Sequence, residues 1–168
     1  AGDGTTSQGE FYEAISWAAK DKAPVIFLIQ NNHYAISVEI HNQRPGGLIA
    51  ENFMNFYGLN SVKIDGCNLE KSFDIATKVI QRARDGGGPS LVDAEVVRLL
   101  PHSSSDDHNK YRTKLSLDKD RLRDPIKKLE DYLIEKKLVT KKQLESIYAD
   151  TKNHIDESSE RALVAEDP

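Results

Sequence analysis

Phe11, Ala14, Ile15, Ala18 and Ala19 recur at helical spacing. They predict a helix over 8–20 with one face packed on a sheet. Ser7 followed by Glu10 reads as a capping box at its start, and Ala23-Pro24 ends it. The run Val25–Ile29 is short, apolar and rich in β-branched residues, the pattern of a central parallel strand covered on both faces. Arg44-Pro-Gly-Gly47 is a turn signal, and 50–58 reads as a short helix. A second strand is expected at Ser61–Ile64. Phe73, Ala76, Val79, Ile80 and Ala83 mark a helix over Leu69–Arg84, stopped by Asp85-Gly-Gly-Gly-Pro89, and Ser90–Val97 reads as a third strand. Alternation of this kind predicts an α/β fold with a mainly parallel sheet flanked by helices.

Beyond residue 100 the density of charged side chains roughly doubles, as in exposed helices. Pro101–Tyr111 is a polar stretch too long for a minimal connector. Asp124-Pro125 places an N-cap before a first-turn proline, with Ile126, Leu129, Leu133 and Ile134 as the stripe expected to be buried. Thr140 and Gln143 form another capping box. Leu144, Ile147, Tyr148, Thr151, Ile155, Ser158 and Ala162 then continue one face. The expected organisation is an α/β portion over 1–115 and a helical tail over 116–168.

Composition narrows the functions. The 168 residues are 38 % hydrophobic and 30 % charged, with a net charge of −4, which suits a globular chain. No apolar run approaches the roughly 20 residues of a membrane-spanning helix. No basic cluster exists to track phosphates, so a nucleic-acid partner is not expected. The single cysteine, Cys67, excludes an intrachain disulfide and a cysteine-rich zinc site, and fits a reducing compartment. His33, His41, His108 and His154 show no metal-ligand spacing. The chain opens at Ala1 without an initiator Met and runs straight into Gly2-Asp3-Gly4, so it reads as a fragment lacking an N-terminal part.

Two short elements carry the candidate chemistry. Gly2-Asp3-Gly4-Thr5-Thr6 lies just before the first helix, where glycines allow close backbone approach and free helix-start amides attract phosphate. Asn31-Asn32 follows the first strand. Asp3 and Asn32 lie 32 − 3 = 29 positions apart, and a strand–helix–strand crossover of about 30 residues returns the chain beside its start. In a parallel sheet ligands bind at the carboxyl ends of the strands. A carboxylate, an amide oxygen and a backbone carbonyl are hard oxygen ligands suited to magnesium, which keeps an open side for a diphosphate. Each element alone is an ordinary turn; the pair at this spacing resembles the thiamine diphosphate signature.

The resemblance extends further. Gly2-Asp-Gly-Thr-Thr-Ser-Gln-Gly-Glu-Phe11, Asn31-Asn-His-Tyr-Ala-Ile-Ser37, His102-Ser-Ser-Ser-Asp-Asp107 with Tyr111-Arg112, Asp124-Pro-Ile with Leu129, and the closing Glu166-Asp-Pro168 are similar to the alpha subunit of the first, decarboxylating component of 2-oxo acid dehydrogenase complexes. The resemblance implies a thiamine diphosphate-binding fold with a C-terminal helical extension. It implies Asp3, Asn32 and the backbone carbonyl of Tyr34 as magnesium ligands. Gly2, Gly4, Thr5, Gln30, Arg98 and His102 are the implied cofactor-binding positions. Two departures stand out. His33 occupies a place often filled by Gly or Arg, and Gln30 stands where some members carry a basic residue.

The implied partners are a beta subunit, or a beta region of the same chain, a lipoyl-bearing acyltransferase and a 2-oxo acid. Branched-chain acids are favoured over pyruvate on the His102–Asp107 motif. The family's substrate-side histidine and activating glutamate belong to the beta part, so no residue here is assigned as an acid–base catalyst and the isolated fragment is expected to be inactive. Ser103 to Ser105 resemble a loop phosphorylated in mitochondrial members; the bland reading, a flexible polar loop, is preferred, and a bacterial cytoplasm is favoured over the mitochondrial matrix. The alternatives are an acetoin dehydrogenase-like alpha subunit and a non-catalytic module that binds magnesium and a diphosphate.

Overall fold

The computed structural model describes residues 1–166. Asp167 and Pro168, the end of the closing motif, lie outside the described residues. The chain groups into two compact units, Ala1–Pro125 and Ile126–Pro168.

In the first unit the helical periodicity of residues 8–20 becomes α1 (Gly9–Lys20), which buries Phe11, Ile15, Ala18 and Ala19. The expected Ser7–Glu10 capping box does not form. A 3₁₀ turn over Asp3–Ser7 runs directly into the helix and makes Gln8 the N-cap, with no side-chain cap bond. Glu10 therefore falls one position short of the place from which it would reach back, and Ser7 Oγ donates instead to the Gln43 carbonyl at 3.2 Å.

Among the described residues five strands follow: β1 (Ile26–Asn31), β2 (Tyr34–Ala35), β3 (Val38–Glu39), β4 (Asn60–Asp65) and β5 (Ser90–Glu95). The main sheet is parallel, in the order β1-β5-β4, and β2 and β3 form a small antiparallel hairpin. The α/β reading with a parallel sheet holds, but the expected centre does not. The first five residues of β5 are all buried, whereas Leu28 in β1 is 48 % exposed. An apolar run shows that a strand is largely covered without showing where it stands in the strand order.

Strand alternation puts Phe27, Ile29 and Asn31 on the same face as Leu91, Asp93 and Glu95 and as Ser61, Lys63 and Asp65. The core forms there, where Phe11 and Ile15 of α1 meet Ile29, Leu91 and the loop residues Ile40, Ile49, Phe53 and Leu59. The short helix expected over 50–58 is a single 3₁₀ turn, Ala50–Phe53. The other face meets α2 (Leu69–Arg84), whose start is capped by Asn68 accepting the Lys71 N–H at 3.0 Å. After β5 comes a polar loop, then α3 (Lys114–Arg121).

The second unit is built from α4 (Pro125–Glu135) and α5 (Lys141–Leu163). Proline opens α4, and Thr140 and Gln143 form the expected reciprocal box. Lys137, in the left-handed region at φ 56°, ends α4, and the Leu138 N–H returns to the Leu133 carbonyl at 2.9 Å. Tyr148 donates to Glu130, tying the two helices. Their stripe is not buried: Ile126 is exposed and Leu129, Leu133 and Ile134 are half-buried. Two helices alone leave much of their apolar face in water.

Candidate functional site

Because β1, β5 and β4 are parallel and in register, Asn31, Glu95 and Asp65 stand level at one end of the sheet. The chain start joins them there. The Ala1 amino group donates to the Leu28 carbonyl and the Gln30 N–H to the Ala1 carbonyl, both at 2.8 Å. Gly2 bridges Gln30 in the parallel sense, so Asp3 emerges beside the end of β1.

The 3₁₀ turn that follows buries Asp3 to 1 % exposure. Its backbone carbonyl accepts from Thr6 Oγ1 at 2.6 Å. Its two carboxylate oxygens are buried, and neither has a hydrogen-bond partner. Burying a carboxylate in this way costs several kcal/mol unless a cation or donors face it. Gly4 packs against the β2–β3 hairpin: a Cβ there would stand 2.7 Å from the Ala35 Cβ. Only glycine lets the Asp3 turn and the hairpin touch this closely.

The turn leading from β1 into that hairpin is held by its own side chains. Asn31 is buried, and its Oδ1 accepts the His33 N–H at 3.1 Å. Half-buried Asn32 uses its Oδ1 for the Tyr34 N–H, also at 3.1 Å, leaving the oxygen's second lone pair. His33 takes φ 68°, a region non-glycine residues seldom adopt.

Arg98 closes the hairpin from the far side. It donates to the Ile36 carbonyl and to the Tyr111 hydroxyl, each at 2.7 Å. Its guanidinium stands 5.4 Å from the Tyr34 ring centre, and that of Arg112 stands 5.0 Å from the same ring. Tyr111 donates in turn to Asp106 at 2.6 Å, and Asp106 also accepts the His102 N–H at 2.8 Å. These two bonds, the tyrosine's first, hold the Asp106 carboxyl below its ordinary range. Burial and the bond to Asp106 push the Tyr111 phenol up.

The structure thus gathers Gly2, Asp3, Gly4, Asn32, Tyr34 and Arg98 at the carboxyl edge of the sheet. Thr5 is exposed on the same turn. His102 is exposed on the loop, tethered through its backbone. Gln30, by strand alternation, lies on the opposite face from Asn31, beside Val96 and Gly66. Among the described residues no three His, Cys, Asp or Glu side chains converge as a metal cluster. A cation here would depend on one carboxylate with an amide oxygen and a backbone carbonyl, the donor set of a hard ion that keeps several waters. The residues fit magnesium on this count, since Asp3 is a buried anion with no protein donor.

Three contributors carry no assigned role in the sequence reading. Arg44 sits in an apparent surface turn yet is 4 % exposed. It donates to the Leu48 carbonyl at 2.7 Å, to the Thr6 carbonyl at 3.0 Å and to the Tyr12 hydroxyl at 3.2 Å, locking the Asp3 turn. Arg112 donates to the Arg98 carbonyl and pairs with Asp120. Asp93 is fully buried in β5; an acid set between the apolar residues Leu91, Val92 and Ala94 is the signal the sequence offers. Burial pushes its carboxyl up, against the opposing bonds from Asn31 and Ala50. Nearby, Lys63 bridges Glu51 at 2.9 Å and Glu95 at 3.1 Å. Burial pulls Glu51 upward, but the Lys63 bond and charge prevail and hold it below its ordinary value. No helix among the described residues is long and apolar enough to cross a membrane.

Comparison with known proteins places these residues in a family context. The family model described as Dehydrogenase E1 component matches residues 1–168. The 3-methyl-2-oxobutanoate dehydrogenase subunit alpha of Mycobacterium tuberculosis is 34 % identical, covering 90 % of this chain and 41 % of the relative. The pyruvate dehydrogenase E1 component subunit alpha of Bacillus subtilis is 34 % identical over 96 % of this chain and 43 % of its own length. The 2-oxoisovalerate dehydrogenase subunit alpha of the same organism is 35 % identical over 83 % and 42 %. The chain spans less than half the length of these relatives.

Proposed function

The chain belongs to the dehydrogenase E1 component family, and from that premise we propose that it is the alpha part of a 2-oxo acid dehydrogenase that anchors magnesium and the diphosphate of thiamine diphosphate. The observation that carries this reading is the Asp3 carboxylate, buried with both oxygens unpartnered beside the end of β1. The Asp3 carboxylate, the Asn32 side-chain oxygen and the Tyr34 carbonyl would hold the cation. Gly2, Gly4 and Thr5 line the turn that would face the diphosphate, with Arg98 and His102 as further contacts and Gln30 approaching from the other face of β1.

When bound, thiamine diphosphate supplies an electron sink for the pair left behind as carbon dioxide departs from a 2-oxo acid. What this chain contributes is position. Arg44 and Thr6 hold the Asp3 turn, Gly4 sets its distance from the hairpin, and Arg98 fixes the hairpin to the polar loop. No side chain at this edge is assigned a proton-transfer role. A beta subunit or beta region would supply the acid–base groups and complete the substrate pocket, and a lipoyl-bearing acyltransferase would accept the acyl group. Relatives of both branched-chain and pyruvate types match; the His102–Asp107 motif supports branched-chain acids as the substrate. The extended reading of the fold is a thiamine diphosphate-binding domain with a C-terminal helical extension.

The test is 2-oxo acid oxidation by the full-length protein with its beta partner, using an artificial electron acceptor. Pyruvate and 3-methyl-2-oxobutanoate are compared with and without magnesium and thiamine diphosphate. Cofactor-dependent turnover with faster oxidation of 3-methyl-2-oxobutanoate is expected. A folded complex that turns over neither acid would overturn the dehydrogenase reading. It would point to acetoin as substrate or to a binding module.

A further inference from the structure

We propose that Asp93 is a positioning residue for the cation site, setting the Asn32–Tyr34 turn through the side chain of Asn31; this rests on the reading of the site given above. Asp93 is fully buried in the central strand, and both its oxygens are used. Oδ1 accepts Asn31 Nδ2 at 3.1 Å and Oδ2 accepts the Ala50 N–H at 3.3 Å. A carboxylate only accepts. Asn31 must therefore turn its Nδ2 toward Asp93, which leaves its Oδ1 facing the His33 N–H at 3.1 Å. Asp93 thereby selects the amide orientation that caps the turn.

That cap matters because His33 holds φ 68°, a conformation that persists in a non-glycine residue only where the surroundings enforce it. The Asn31 main chain is pinned as well, its carbonyl accepting the Val96 N–H at 2.9 Å. His33 is flanked by the two proposed ligands, Asn32, whose Oδ1 accepts the Tyr34 N–H, and Tyr34 itself. Two hydrogen bonds lead from Asp93 through Asn31 to the His33 N–H, and the backbone of His33 joins directly to two of the three groups proposed to face the cation. Asp93 bonds only to Asn31 and Ala50 in this run and acts on the site through Asn31. Residues that orient metal ligands from behind change metal affinity by about 10–100-fold when altered.

An exchange of the two side chains separates positioning from bulk stability. In Asp93→Asn one acceptor meets two donors: either Asn31 Nδ2 or the Ala50 N–H is left unpaired, or the Asn31 amide flips and the His33 N–H loses its acceptor. In Asn31→Asp two carboxylates face each other. In the double variant Asn31→Asp/Asp93→Asn, the amide at 93 donates to the carboxylate at 31 and still accepts from Ala50. The second oxygen at 31 remains free for the His33 N–H. Magnesium is titrated into full-length protein at saturating thiamine diphosphate. Each single variant is expected to bind magnesium about 10–100-fold more weakly, and the exchange is expected to recover most of the loss.

A merely structural Asp93 would lower the melting temperature of Asp93→Asn without moving the magnesium affinity of its folded fraction, and that result would overturn the proposal. So would an exchange no better than the weaker single variant. If Asp93→Asn does not fold, Asn31→Ala serves in its place, and parental affinity in that variant would also overturn it. A parent protein that binds no magnesium with thiamine diphosphate would remove the site reading and this inference together.

Discussion

Asp3→Asn should have opposite effects on stability with and without cofactor. The wild-type carboxylate is 1 % exposed and neither oxygen accepts a hydrogen bond. An unpaired buried ion carries a penalty of several kcal/mol even after relaxation. A neutral amide of the same shape, left unpaired, costs about 1–3 kcal/mol. Without a cation, therefore, the variant should be the more stable protein, by about 1–3 kcal/mol on the difference of those two penalties. Its melting temperature should rise by a few degrees. With magnesium and thiamine diphosphate the order should reverse. A ligand at a hundredfold its Kd adds about 2.7 kcal/mol to the folded state, and the variant loses most of that gain with its carboxylate ligand. The assay is thermal unfolding of the full-length protein and variant, each with and without magnesium and thiamine diphosphate. A variant that melts lower than the parent in the absence of both, and gains as much as the parent on their addition, would refute the reasoning.

Three further outcomes are expected. Gly4→Ala brings a methyl to 2.7 Å from the Ala35 Cβ and should cost about 1–3 kcal/mol by overpacking, read as the urea midpoint; adding Ala35→Gly should recover most of it. Arg44→Met should cost about 3 kcal/mol by stranding the Thr6 and Leu48 carbonyls, and Arg44→Lys should not rescue it, because one ammonium cannot replace the guanidinium fork; equal urea midpoints for Lys and Arg would disprove this. Glu51 sits below its ordinary 4.5, so its contribution to stability is complete above that pH and is lost as pH falls through its native value. Glu51→Gln should flatten the stability–pH curve below pH 4.5, and a parallel curve would show that the Lys63 pair contributes nothing there.

Local pattern was a good guide to most features in which neighbours in sequence are neighbours in space. The periodicity of residues 69–84 and the Thr140–Gln143 box appear as read, because a helix and its cap depend on contacts three or four residues apart. The Ser7–Glu10 box failed at the same range because an intervening 3₁₀ turn shifted the cap by one residue. The order of the strands was not legible, since apolar runs look alike in any position. Arg44 read as a surface turn residue because its partners, Thr6 and Tyr12, lie more than thirty positions away.

The order of residues alone specifies the alternation of strands and helices, the parallel sheet and the family to which the chain belongs. It also placed a glycine-flanked carboxylate one crossover away from an Asn pair. Folding in three dimensions is what buries the carboxylate without a donor, brings Gly4 against Ala35, and turns Asn31 inward to Asp93 while Asn32 does not follow. The division has a physical cause. Backbone propensity and amphipathic period act over a few residues, so they survive in a linear string. Desolvation and hydrogen-bond partnership depend on what the fold brings within about 3 Å from distant parts of the chain, and only the assembled sheet edge specifies that.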